Sequence, residues 1–205
     1  MKNYPKYHYD LDQGSDQWYE IRKLKMTASH AQAIATAGKG LDTYIKNKVL
    51  ELIVPKQNFD NEHTIRGKEL EPIAISEYEL NNNLTVKKIG FIEHSNRVGC
   101  SPDGLVNNDG IIEVKCRKDD IYYDTLITRK IPSSDMWQIQ MNLLISKIKW
   151  CDYICYNPNF TKSMLQLRVF PNPNMHDKLL KGLDKGEELF RYYLNNPVTK
   201  YELNS

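Results

Sequence analysis

The chain predicts an α+β fold: a mixed central β-sheet flanked by helices, in a single domain over residues 1–205. Three observations point there. Asn107-Asn108-Asp109-Gly110 is a hairpin signal, because Asn, Asp and Gly tolerate positive φ, and apolar runs flank it. Strand-like runs recur at 150–156 and 163–170, separated by Asn157-Pro158-Asn159. Stretches with apolar residues at helical spacing lie on either side, at 64–78, 133–146 and 175–194, with no internal repeat or linker to divide the chain.

Taken in order, residues 1–12 read as an arm or a first strand. Ser15 is the expected N-cap of a short helix carrying Trp18, Ile21 and Arg22. Thr27-Ala28-Ser29 opens a helical stretch to Thr36, and Gly38 and Gly40 around Lys39 suggest a mobile loop. Residues 41–52 read as a helix that Pro55 stops, with a polar loop from Asn58 to His63. The helix from Thr64 to Tyr78 places Gly67 and Glu71 on one face, with small Gly67 expected to allow close packing. Strands at 86–94, 97–100 and 110–116 are expected to form a three-strand antiparallel meander. A short helix at 122–128, one from Pro132 to Ser146 carrying Gln138 and Gln140, and an amphipathic helix from Met175 to Leu194 complete the reading.

Composition is ordinary for a globular protein, with 40% hydrophobic and 26% charged residues. A net charge of +2 does not announce a nucleic-acid partner, so any basic footprint must be local. No apolar run approaches the ~20 residues of a membrane helix, and the N-terminus has no apolar signal region. The expectation is a cytoplasmic chain with no membrane partner and reduced thiols at Cys100, Cys116, Cys151 and Cys155, whose spacing does not suit zinc.

The chemistry concentrates between Cys100 and Cys116. Side chains alternate along a strand, so Glu113 and Lys115 share a face and Val114 takes the other. The hairpin can bring Asp103 back beside them. Two carboxylates and an amine at one sheet edge suit phosphodiester hydrolysis. Hard oxygens from Asp103 and Glu113, with the main-chain carbonyl of Val114, would hold Mg²⁺ or Mn²⁺. Lys115 would position the attacking water or stabilise charge on the phosphate. The plain alternative is a surface hairpin with a Glu–Lys pair worth little.

Six blocks in order then resemble a known family: Gly14-Ser15-Asp16-x-Trp18 with Ile21-Arg22, Thr27-Ala28-Ser29, Gly67-Lys68-x-x-Glu71, Cys100-Ser101-Pro102-Asp103-Gly104-Leu105, Glu113-Val114-Lys115-Cys116, and Gln138-x-Gln140. Together they resemble the bacteriophage lambda exonuclease or YqaJ-type viral recombinase family, within the PD-(D/E)xK nuclease superfamily. The resemblance implies a PD-(D/E)xK nuclease core and a Mg²⁺-dependent 5′→3′ exonuclease on double-stranded DNA ends, with Mn²⁺ as substitute and two ions in the site. It implies a product with a 3′ single-stranded overhang for recombination by strand annealing. It also implies a toroidal homotrimer, a single-strand annealing partner and a phage or prophage origin. By position, Asp103 and Glu113 become metal ligands and Lys115 the catalytic lysine. Glu71 and Gln138 join them from two helices, and Arg22, Thr27, Ser29 and Ser101 form a 5′-phosphate pocket. One departure stands out: Ile121 occupies the place of a phosphate-binding arginine, with Arg117 or Lys118 as nearby substitutes. On the same core, a structure-specific endonuclease, an iron–sulfur nuclease and a non-catalytic DNA-binding recombination subunit are the alternatives.

Overall fold

A computed structural model describes residues 5–54 and 62–195 of the chain. The stop at Pro55 and residues 58–61 of the loop expected from Asn58 to His63 lie outside the described residues, as do Met1 to Tyr4; Glu62 and His63 instead begin a helix. Two sheets organise the rest. The smaller contains β1 (Lys6–His8), β2 (Met26–Thr27), β4 (Phe91–Ser95) and β5 (Val98–Cys100) in the order β1-β4-β5-β2. The larger contains β3 (Val86–Lys87), β6 (Gly104–Val106), β7 (Gly110–Cys116), β8 (Trp150–Tyr156) and β9 (Met164–Val169) in the order β3-β6-β7-β8-β9. In it, β7 runs parallel to β8 and antiparallel to β6, so the sheet is mixed as expected.

The helices are α1 (Asp16–Ile21), α2 (Ala31–Thr36), α3 (Lys39–Leu50), α4 (Glu62–Asn82), α5 (Asp119–Thr128), α6 (Ser133–Ser146) and α7 (Pro173–Leu194). Ser15 caps α1 by accepting a hydrogen bond from Trp18 N. Ala37, with φ at 50°, ends α2, and Gly38 caps α3. Lys39 therefore begins a helix and is not the tip of a mobile loop.

The expected meander of 86–94, 97–100 and 110–116 is replaced by a crossing between sheets. The run from Val86 breaks after Lys87: β3 pairs with β6, whereas β4 pairs with β1 and β5. Gly90 marks the crossing, donating its N–H to His8 O. A side chain there would meet Leu11 O at 2.1 Å, so the chain turns where glycine alone fits.

Alternation along β7 divides the core. Ile112 and Val114 face Ala74 and Tyr78 of α4, with Trp150, Ile154 and Tyr156 of β8. Ile111 faces the other way, into the larger cluster holding Ile139 and Leu143 of α6, Ile34 of α2, and Leu179 and Phe190 of α7. The large sheet is thus a middle layer with α4 on one face and α6 on the other. Gly67 has no neighbouring atom within 4 Å of an added Cβ, so it marks no close contact.

Candidate active site

The β6–β7 hairpin builds the site. Val106 pairs with Gly110, and Asn107 takes the left-handed conformation with φ at 51°. The register continues through Gly104↔Ile112, and Asp103 N donates to Ile112 O at 3.2 Å. Asp103 is thereby set beside Glu113 and Val114, and its Oδ2 accepts from Val114 N at 2.6 Å.

Glu113 and Lys115 share the α6-facing side of β7. Lys115 Nζ donates to Glu113 Oε1 at 2.6 Å. Gln138, on α6, closes a triangle: its Nε2 donates to the same Oε1 at 2.6 Å, and its Oε1 accepts from Lys115 Nζ at 3.2 Å. Glu113 is 1% exposed, so this is no surface ion pair. Glu71 reaches the cluster from α4 on the opposite face. With Asp103 it lines a cleft of about 460 Å³ that also includes Tyr9, Gln13 and Lys88.

The charges are unbalanced. Burial raises the Asp103 carboxyl well above its ordinary value, and Glu113 and Glu71 add to the effect. Burial, then Glu113, raises Glu71 as well. Burial works against charge on Lys115, but Glu113 and Asp103 outweigh it and hold the ammonium above the usual lysine range. Three carboxylates therefore surround one lysine, a surplus of negative charge that a hard cation would relieve. No cluster of three or more His, Cys, Asp or Glu side chains makes a closed cation cage among the described residues. A site of two carboxylates, a main-chain carbonyl and water does fit the residues present, since Mg²⁺ keeps several waters.

A second group lies on the Ser101 side. Arg22 Nη1 and Trp18 Nε1 both donate to Ser101 Oγ, at 3.0 and 3.1 Å. The Arg22 guanidinium stacks 4.0 Å from the Trp18 ring centroid. Burial lowers the pKa of Arg22 from its usual value. Thr27 and Ser29 are brought together by a 3.2 Å contact between their hydroxyls. Thr27 is buried, however, and also meets Tyr44: Thr27 N donates to the Tyr44 hydroxyl at 3.1 Å, and that hydroxyl donates to Lys25 O at 3.1 Å. Ser29 is exposed and lies 3.2 Å from His30 Nδ1, whose ring stacks on Tyr44.

The two residues near the arginine position missing at Ile121 differ in their surroundings. Arg117 pairs with buried Asp135, which also accepts from the Tyr153 hydroxyl at 3.0 Å. Lys118 is the exposed N-cap of α5, and Ile121 itself is exposed on that helix. Gln140 turns away from Glu113, donating to Phe170 O and accepting from Asn172 N.

Two residues that sequence reading passed over belong here. Tyr44 organises the Thr27 turn, yet among Leu41, Ile45 and Val49 it looks like ordinary core. Asn142 donates to Glu113 Oε2 at 2.9 Å. Its signal was available, since it stands four residues after Gln138 and so shares that helix face.

All four cysteines are free thiols; Cys100 lies on β5, Cys116 ends β7, and Cys151 and Cys155 lie on β8. No described helix is long and apolar enough to cross a membrane.

The family model of the YqaJ-like viral recombinase domain matches residues 17–149. The crystal structure of an alkaline exonuclease, LHK-Exo, from Laribacter hongkongensis is similar at 25% identity with a TM-score of 0.77, covering 87% of this chain and 95% of that one. LHK-Exo in complex with dAMP gives a TM-score of 0.81 at 25% identity, covering 87% and 94%. A phage-related exonuclease from Haemophilus somnus 129PT shares the fold at 14% identity and a TM-score of 0.67, covering 85% and 97%. No curated protein matches the chain.

Proposed function

The chain belongs to the YqaJ-like viral recombinase family, and from that premise we propose that it is a Mg²⁺-dependent 5′→3′ exonuclease on linear double-stranded DNA. It leaves a 3′ single-stranded overhang for strand annealing. The observation that carries the reading is the meeting of Asp103, Glu113, Lys115 and Gln138, joined through Ser101-Pro102-Asp103 to the Arg22 pocket.

Asp103 and Glu113 would hold Mg²⁺ or Mn²⁺, two ions by resemblance, with the Val114 carbonyl completing the protein's share. A bound ion supplies Lewis acidity and a water of lowered pKa. Lys115 stays protonated between Glu113 and Gln138, so it acts as a donor to water or phosphate and not as a base. The Gln138 amide fixes the Lys115–Glu113 geometry, and Glu71 adds a carboxylate at the mouth of the cleft. Arg22 and Ser101 would receive the terminal 5′-phosphate, with Ser29 beside them and Thr27 holding the turn. A phosphate anchored there selects which phosphodiester reaches Asp103 and Glu113, and hence the direction of travel. The protein works in the cytoplasm of a phage-carrying bacterial host, as a homotrimeric ring beside a single-strand annealing protein.

The test compares linear duplexes bearing 5′-phosphate or 5′-hydroxyl ends, in Mg²⁺, with wild type, Arg22→Ala and Asp103→Ala. Wild type should degrade the phosphorylated 5′ strand faster. Arg22→Ala should lose most of that preference, and Asp103→Ala should not cleave. Metal-dependent cleavage near the wild-type rate by Asp103→Ala removes the metal-site assignment. Equal digestion of both ends, or digestion from 3′ ends, removes the pocket assignment. A nick-only product would favour the structure-specific endonuclease.

A further inference from the structure

We propose that Asn142 is a positioning residue that fixes the Glu113 carboxylate where it would hold a metal ion; the inference rests on the nuclease reading above. Asn142 is 0% exposed on α6. Its Nδ2 donates to Glu113 Oε2 at 2.9 Å, while Gln138 and Lys115 both donate to Oε1 at 2.6 Å. The carboxylate is therefore divided. Oε1 meets Lys115 and Gln138, and Oε2 meets the buried Asn142 amide.

The other end of the amide argues that this contact, not packing, is its role. Asn142 Oδ1 is buried and has no hydrogen-bond partner. Leaving a buried acceptor unmade is costly, and most buried polar groups avoid it. An apolar side chain at this place in α6 would remove that cost, but would leave Glu113 Oε2 facing a dry core. The amide holds the oxygen instead. A carboxylate held at both oxygens cannot swing, so the position of Glu113 is set before any cation arrives. Hydrogen-bonded partners of ligating carboxylates commonly set metal affinity and activity in this way.

The experiment titrates Mn²⁺ alone into the full chain by calorimetry, without DNA, alongside steady-state cleavage of linear duplex and thermal melts. The variants are Asn142→Ala and Asn142→Leu; the second fills the volume, so that a folded variant is available if the first collapses. Both should bind Mn²⁺ roughly 10- to 100-fold more weakly and lose kcat by a similar factor, with KM for DNA within about twofold of wild type. A folded variant with wild-type Mn²⁺ affinity overturns the proposal, whether or not its melting temperature falls, since a packing role alone moves only the melt. Wild type that binds Mn²⁺ and cleaves while the variants do both unchanged overturns the pin and leaves the nuclease reading standing. Wild type that binds no Mn²⁺ overturns both.

Discussion

At the scale of single residues, the site stores electrostatic repulsion that substrate chemistry can use. Asp103 and Glu71 have raised pKa values in the folded chain, so the fold retains their protons at a pH where the unfolded chain has released them. Their contribution to stability is therefore full at low pH and is lost as pH rises through the raised folded-state values. Metal-free protein should be less stable at pH 8 than at pH 5 for this reason. Asp103→Asn keeps an acceptor for Val114 N and removes the charge. It should stabilise the metal-free chain at pH 8 by about 1 kcal/mol, or roughly 2–4 °C in melting temperature, while abolishing cleavage. An unchanged or lower melting temperature would show that the carboxylates do not repel one another. Lys115 acts with the opposite sign of charge and should report on chemistry alone. Lys115→Ala should lower kcat by about 10²- to 10³-fold, as loss of a preorganised donor does elsewhere. Mn²⁺ affinity measured beside it should hold or rise; a large fall would mean that the lysine supports the ligands more than the transition state.

At the scale of elements, the site depends on layers that meet closely. On α7, Gly182 lies against α2: a Cβ there would stand 1.9 Å from Ile34 O. Backbone cannot retreat as a side chain can, so Gly182→Ala should push the two helices apart and cost about 1–3 kcal/mol. Urea unfolding should show a lower midpoint with the slope unchanged; a wild-type midpoint would mean that the helices separate freely. Elements whose signals are local were legible in the sequence. The β6–β7 hairpin, α6 from Ser133 and α7 to Leu194 follow from turn chemistry, proline placement and periodicity, and they put Asp103, Glu113, Lys115 and Gln138 together. What escaped is non-local. Nothing between Val86 and Cys100 reveals that β3 joins one sheet and β4 the other, because the partners of β4 and β5 include strands 72 to 87 residues earlier. Arg117 looked free to bind phosphate, and its pairing with Asp135 depends on how α6 lies over the end of β7. Tyr44 was hidden by the apolar company it keeps on α3.

At the scale of the whole molecule, the question is how a nearly neutral chain stays on DNA. With 28 basic and 26 acidic residues, the net charge is +2, too small for a general field to retain a polyanion. The residues facing the substrate include carboxylates that repel it, since Asp103 and Glu71 line the cleft with Lys88. A few phosphate contacts on one subunit would give weak binding, weaker still at raised salt. The proposed ring would remove the difficulty: three copies would repeat each local contact around one duplex, and escape would require sliding off an end. The expected outcome is a mass by light scattering of three times the 24.0 kDa chain. Digestion of a long duplex, once begun, should continue after a salt jump that prevents new binding, because a threaded ring is held by topology. A monomer mass at working concentration together with sustained digestion would contradict the ring. A trimer that lets go of its duplex on the salt jump would place the three active sites outside any enclosing channel.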